Sequence, residues 1–143
     1  MAGMTNPSDT PDDPDAAAPA PASPLLIVDG ANVVGSVPDG WWRDRRGAAE
    51  RLRDRLVAYA RAGTAELAGP VEVVLVVEGA ARGVASVPGV RVVAAPGSGD
   101  DRIVELVAEG AGRTCLVVTA DRELRRRVSA LGARVAGPRT VRG

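Results

Sequence analysis

The chain reads as an α/β protein, a three-layer α/β/α sandwich around a central, mostly parallel sheet. Three observations predict this. Short Val-rich apolar runs alternate with segments apolar at helical spacing, the pattern of strand–helix–strand units. No internal repeat is visible. Acidic clusters follow the runs: Asp29-Gly30-Ala31-Asn32, Asp100-Asp101 and Thr119-Ala120-Asp121. Strand ends of a parallel sheet converge on one edge, where ligand crevices form.

The elements follow in order. Residues 1–24 hold six of the eleven prolines, with Ala, Asp and Ser, and predict a disordered acidic tail. Residues 25–143 form the folded domain. Leu25–Asp29 is a short apolar strand, and a Gly- and Pro-bearing loop follows to Gly40. Arg43–Ala62 is a helix, because Ala49, Leu52, Leu56 and Tyr59 recur on one face. Val71–Val77 is β-branched and too short for a helix, so it is a strand. The Gly-rich crossover Gly79–Gly89 has room for one short helix, and Val90–Ala94 is the next strand. Asp100–Ala111 is an amphipathic helix through Ile103, Val104, Leu106 and Val107. Thr114–Thr119 is a strand. Asp121–Leu131 is a helix with Leu124, Val128 and Leu131 inward and Arg122, Arg125, Arg126 and Arg127 mostly outward. Ala133–Ala136 is the last strand.

Composition bounds the chemistry. At 143 residues and 45% apolar content, one domain with an aliphatic core is expected; there is no Phe, one Tyr and two Trp. Net charge is zero, but the tail carries four acids and no base. The remainder therefore holds 18 basic against 14 acidic residues. All the bases are Arg, which suits bidentate phosphate contact. The absence of His excludes His-based triads and His-ligated zinc. The absence of Lys argues against a phosphorylation-receiver domain, which also gathers acids at strand ends. A dinucleotide-binding domain is disfavoured because no G-x-G-x-x-G follows the first strand. The lone Cys115 lies in a strand-like apolar run and reads as a small core residue, in keeping with a reduced cytoplasmic setting. No signal-peptide pattern or membrane-spanning run is expected.

Carboxylates gathered at one edge repel one another unless something positive lies between them. A divalent cation with oxygen ligands is the simplest candidate. Asp29 would ligate it, and Asn32 would orient a water or phosphate oxygen; the plain alternative is an Asx turn leaving the strand. Asp100, Asp101 and Asp121 fall at helix starts, where capping explains each site equally well when taken singly. Trp41 and Trp42 precede Arg43, Arg45 and Arg46. Such a cluster stacks bases and binds phosphates, or else places the Trp in the core or an interface beside a solvated Arg face.

Taken together, three motifs resemble the NYN domains of the PIN-like nuclease superfamily. They are Leu26-Ile27-Val28-Asp29-Gly30-Ala31-Asn32, Gly99-Asp100-Asp101-Arg102-Ile103 and Val117-Val118-Thr119-Ala120-Asp121-Arg122-Glu123-Leu124. The likeness spans roughly Leu25 to Pro138. It implies a Rossmann-like sandwich and a ribonuclease dependent on Mg²⁺ or Mn²⁺. It matches Asp29, Asp101 and Asp121 to metal-binding acids, and Asn32, Asp100 and Thr119 to supporting positions, with Asp100 a further metal candidate. Asn32 joins Asp29, Asp101 and Asp121 in the implied catalytic set. Glu78, after the second strand, stands where the family often has an Asp; a surface acid at a strand end is its alternative. The resemblance also implies 5′-phosphate and 3′-hydroxyl products. RNA, single-stranded or structured, is the expected partner, with no membrane. A homodimer and a protein partner for the acidic tail stay open, as does a non-catalytic, RNA-binding module on the same fold.

Overall fold

Alternation within the strands decides the architecture, because successive side chains of a strand point to opposite faces. The computed structural model describes residues 23–142. Its elements are β1 (Leu25–Asp29), α1 (Gly30–Gly35), α2 (Arg45–Ala62), the small hairpin β2 (Gly63–Thr64) and β3 (Leu67–Ala68), and β4 (Glu72–Val77). They continue with β5 (Val90–Ala94), α3 (Gly99–Glu109), β6 (Cys115–Val118), α4 (Arg122–Ser129) and β7 (Arg134–Ala136). Short 3₁₀ turns lie at Trp41–Arg43, Gly79–Ala81 and Pro138–Val141.

Five strands form one parallel sheet in the order β5-β4-β1-β6-β7. On one face, Leu26, Val28, Val73, Leu75, Leu116 and Val118 pack with Val33 of α1 and Leu52 and Leu56 of α2. On the other, Leu25, Ile27, Val74, Val76, Cys115 and Val117 pack with Ile103 and Val107 of α3 and Leu124 and Val128 of α4. This is the three-layer sandwich that the sequence predicts. The chain runs outward from β1 through β4 to β5, then crosses back to lay β6 on the other side of β1. The strand order therefore reverses between β1 and β6, and a crevice opens beyond their carboxyl ends. Cys115 is buried in the core as expected, and burial pushes its thiol up to about 11.

Several boundaries differ from expectation, each for a local reason. The loop after β1 begins with a helix, because Asp29 caps α1 by accepting the Asn32 N–H. The long helix starts after Asp44, not at Arg43, because the Asp44 carboxylate accepts the Gly47 N–H at 2.9 Å and caps α2 there. Ser98, not an acid, caps α3. Leu131, expected inward, is 49% exposed: α4 ends at Ser129, so the helical period that would have buried it does not reach it. The β2–β3 hairpin is too short to leave a sequence signal. The expected tail lies outside the described residues as far as residue 22. Its last two residues are held down: the Ser23 carbonyl accepts from Arg113, and the Pro24 carbonyl accepts the Glu72 N–H at 2.9 Å. Among the described residues no helix is long and apolar enough to cross a membrane.

Candidate functional site

Asp29 sits at the carboxyl end of the central strand and is only 5% exposed. The following Gly30 is required by close approach: a Cβ there would stand 2.5 Å from the Val76 carbonyl oxygen. Asp29 is held at both oxygens. The Thr119 hydroxyl donates to Oδ2 at 2.8 Å, and the Asn32 N–H donates to Oδ1 at 3.3 Å. Burial nevertheless dominates and pushes the Asp29 carboxyl up to about 6. The two hydrogen bonds oppose that rise, and the charges of Asp100 and Glu78 add to it.

Thr119 is fully buried and joins the two strand ends at the reversal point. It donates to Asp29 and accepts the Asp121 N–H at 3.1 Å, while its carbonyl accepts from Arg125 Nε at 2.9 Å. Asn32 closes the same junction from the other side, its Oδ1 accepting the Ala120 N–H at 2.8 Å. Asp121 caps α4 through the Leu124 N–H. Capping and clustering are thus both true of Asp29 and Asp121.

The acid pair divides. Asp100 is half-buried, and its carboxyl is raised first by burial, then by Asp121 and Glu78; Arg127 opposes the rise and Asp101 adds the least. Asp101 turns outward to an ion pair with Arg127 at 3.0 Å, with its side chain 70% exposed. The acids that act on one another across the crevice are therefore Asp29, Glu78, Asp100 and Asp121. Glu78 reaches in from the end of β4, and its Oε1 accepts the Gly99 N–H at the start of α3 at 2.7 Å.

The donors are all oxygens, the set that a hard cation takes. Among the described residues, however, no group of three or more Asp, Glu or Cys side chains is arranged to hold a metal ion as it stands. Mg²⁺ keeps several of its waters and commonly takes one or two protein carboxylates plus phosphate oxygens. The donor chemistry therefore fits such an ion without a ready-made cage.

The Trp–Arg cluster divides too. A cleft of about 480 Å³ opens beside the acids, lined in part by Gly30, Trp41, Arg45, Glu78 and Ser98. Trp42 is 55% exposed and sits edge-on to Trp41, with Arg43 over its ring. Arg46 pairs with Glu50 on α2. Two residues expected to face mostly outward, Arg125 and Arg127, instead reach back from α4 to the strand end and to Asp101. Four arginines within six residues, Arg122 and Arg125 to Arg127, do not by themselves show which of them turn to the site.

A comparison with solved structures finds this fold in Rae1 (YacP) from Bacillus subtilis. The TM-score is 0.64 at 20% identity, over 81% of this chain and 70% of that one. A mutant of the same protein matches with a TM-score of 0.62 at 20% identity, over 82% and 71% of the two chains. A scan against protein-family models finds no match. A search of curated proteins finds none either. At this identity the likeness establishes the fold, a sandwich consistent with the PIN-like architecture.

Proposed function

We propose that this chain is a metal-dependent ribonuclease of the NYN/PIN-like kind, hydrolysing phosphodiester bonds of RNA in a cytoplasmic setting. The observation that carries the reading is Asp29. A carboxylate buried at the sheet's reversal point, raised to about 6 and facing further acids, is an arrangement that positive charge would relieve. The ordered motifs around Asp29, Asp100 and Asp121 support it.

Asp29 and Asp100 would hold Mg²⁺ or Mn²⁺, with Asp121 and Glu78 completing the negative field. When bound, such a cation supplies charge neutralisation on the scissile phosphate and a more acidic water. Thr119 positions the Asp29 carboxylate through Oδ2. Asn32 pins the turn that carries Asp121 through the Ala120 N–H. Arg127 holds Asp101 away from the acids, so Asp100, not Asp101, is assigned to the ion. Arg45 presents a guanidinium to the phosphates of an incoming strand.

Among the described residues no three-acid group is preformed, which favours a second reading: an RNA-binding module that does not turn over, or does so only with a partner. Incubating the purified full chain with single-stranded RNA separates the two. The nuclease reading expects cleavage that depends on Mg²⁺ or Mn²⁺ and is abolished by Asp29→Asn. Cleavage retained in that variant with unchanged metal dependence overturns the assignment. RNA binding without metal-dependent turnover selects the second reading.

A further inference from the structure

The cleft beside the acids has a composition that the carboxylates do not explain. Trp41 is half-buried and contributes to its wall. The Arg45 guanidinium lies 5.4 Å from the Trp41 ring centroid, and Arg45 lines the same cleft. Trp42 props the Trp41 ring edge-on, at 6.2 Å between centroids and 89° between planes. A guanidinium lying over an indole makes a cationic stacking platform, built from the two kinds of group on which nucleic-acid bases stack.

The rest of the wall matches a nucleotide. Apolar Ala31, Val34 and Ala81 flank the platform. Of the Glu78 carboxylate, Oε1 accepts from Gly99, while Oε2 makes no hydrogen bond among the described residues and can accept from a base amino or imino group. At about 480 Å³ the cleft falls within the ~300–1,000 Å³ span of small-ligand sites. Its position ties it to the chemistry: Gly30 follows Asp29, Ser98 precedes the turn into Asp100, and Glu78 is common to the cleft and the acids.

We infer that this cleft is a subsite for one unpaired nucleobase of single-stranded RNA, stacked on the Trp41–Arg45 pair beside the scissile phosphate. The inference rests on the RNA reading above and adds its substrate class. A base within a duplex is stacked and paired, and would have to be extruded to enter. The site therefore selects single strands through the cost of unstacking, with Trp41 and Arg45 as positioning residues.

Tryptophan emission tests this directly. In full-length Trp42→Phe protein, Trp41 is the only indole left. With EDTA present to prevent turnover, the probes are single-stranded oligoadenylate and a blunt RNA duplex. Oligoadenylate is expected to quench Trp41 and the duplex is not. Trp41→Ala is expected to weaken oligoadenylate binding about tenfold or more, with Trp41→Phe retaining most of the affinity. Binding without quenching, together with unchanged affinity in Trp41→Ala, overturns the subsite and leaves the RNA reading standing. Equal quenching by the duplex also overturns it. No binding of either RNA removes both. Because the emission change is read on the intact indole, a poorly folded Trp41→Ala protein does not blunt the test.

Discussion

The Thr119 hydroxyl donates to Asp29 Oδ2 at 2.8 Å, joining residues ninety positions apart across the reversal point of the sheet. The bond stabilises the charged form of a carboxylate that burial drives toward neutrality. Thr119→Val is expected to raise the Asp29 carboxyl further above about 6. The variant should lose about 1.5–3 kcal/mol at pH 7, the range for a hydrogen bond to a charged group. Urea unfolding at pH 7 and pH 5 checks it: the deficit should shrink at the lower pH, where Asp29 gains a proton.

Asp29 itself sets a pH dependence. Its folded value, about 6, lies above the ordinary 3.8, so the fold prefers the neutral acid. The stability it contributes is fully present below about pH 3.8 and is lost as pH rises through about 6. Metal-free protein should therefore gain stability from this group as pH falls from 7 to 5. Asp29→Asn should flatten that part of the profile and be the more stable protein at pH 7, by up to about 3 kcal/mol. Paired denaturation curves in EDTA measure both.

A bound cation should offset most of that difference. Mg²⁺ or Mn²⁺ stabilises the folded state by mass action, about 2.7 kcal/mol at a hundredfold excess over the dissociation constant. The expected result is a higher Tm for the wild-type chain on adding Mn²⁺, a much smaller rise for Asp29→Asn, and reversal by EDTA. Equal shifts in both proteins would place the ion elsewhere.

The division of the acid pair predicts unequal variants. Asp101 is largely exposed and paired with Arg127, so Asp101→Asn should cost about 0–1 kcal/mol of stability. Its metal-dependent RNA cleavage should fall less than that of Asp100→Asn. Cleavage rates of the two purified variants under one metal concentration decide it; the opposite ranking returns the ligand role to Asp101.

Gly30→Ala tests the fit behind Asp29. The added Cβ meets the Val76 carbonyl oxygen at 2.5 Å, and both atoms belong to backbone. About 1–3 kcal/mol of destabilisation is expected, the usual cost of overpacking. A shift in the urea midpoint without a change in slope is the readout.

The strands and helices of the sandwich were legible in the chain itself because they rest on local pattern; the order of the strands in the sheet was not. Val-rich runs at strand length, helices apolar on one face and the Asp-Gly-x-Asn turn each announce themselves within a few residues. Less local features were not legible. The helix after Asp29 is only six residues long, and the Asp44 cap that delays α2 looks in sequence like one more charged surface residue. Leu131 continues an apolar period on paper, but the helix stops before reaching it.

Sequence by itself determined the alternation of elements, the α/β/α class and the gathering of Asp29, Asp121 and an acid pair at one edge of the sheet. It did so because side-chain period and residue chemistry are properties of short stretches. Only the tertiary structure decided which acid of the pair faces the others. Adjacent residues on a helix diverge by about 100°, and the packing of α3 against α4 points Asp100 inward and Asp101 to Arg127. It also brought Trp41 and Arg45 to the wall shared with Glu78, since contact between elements far apart in the chain exists only once the layers have packed.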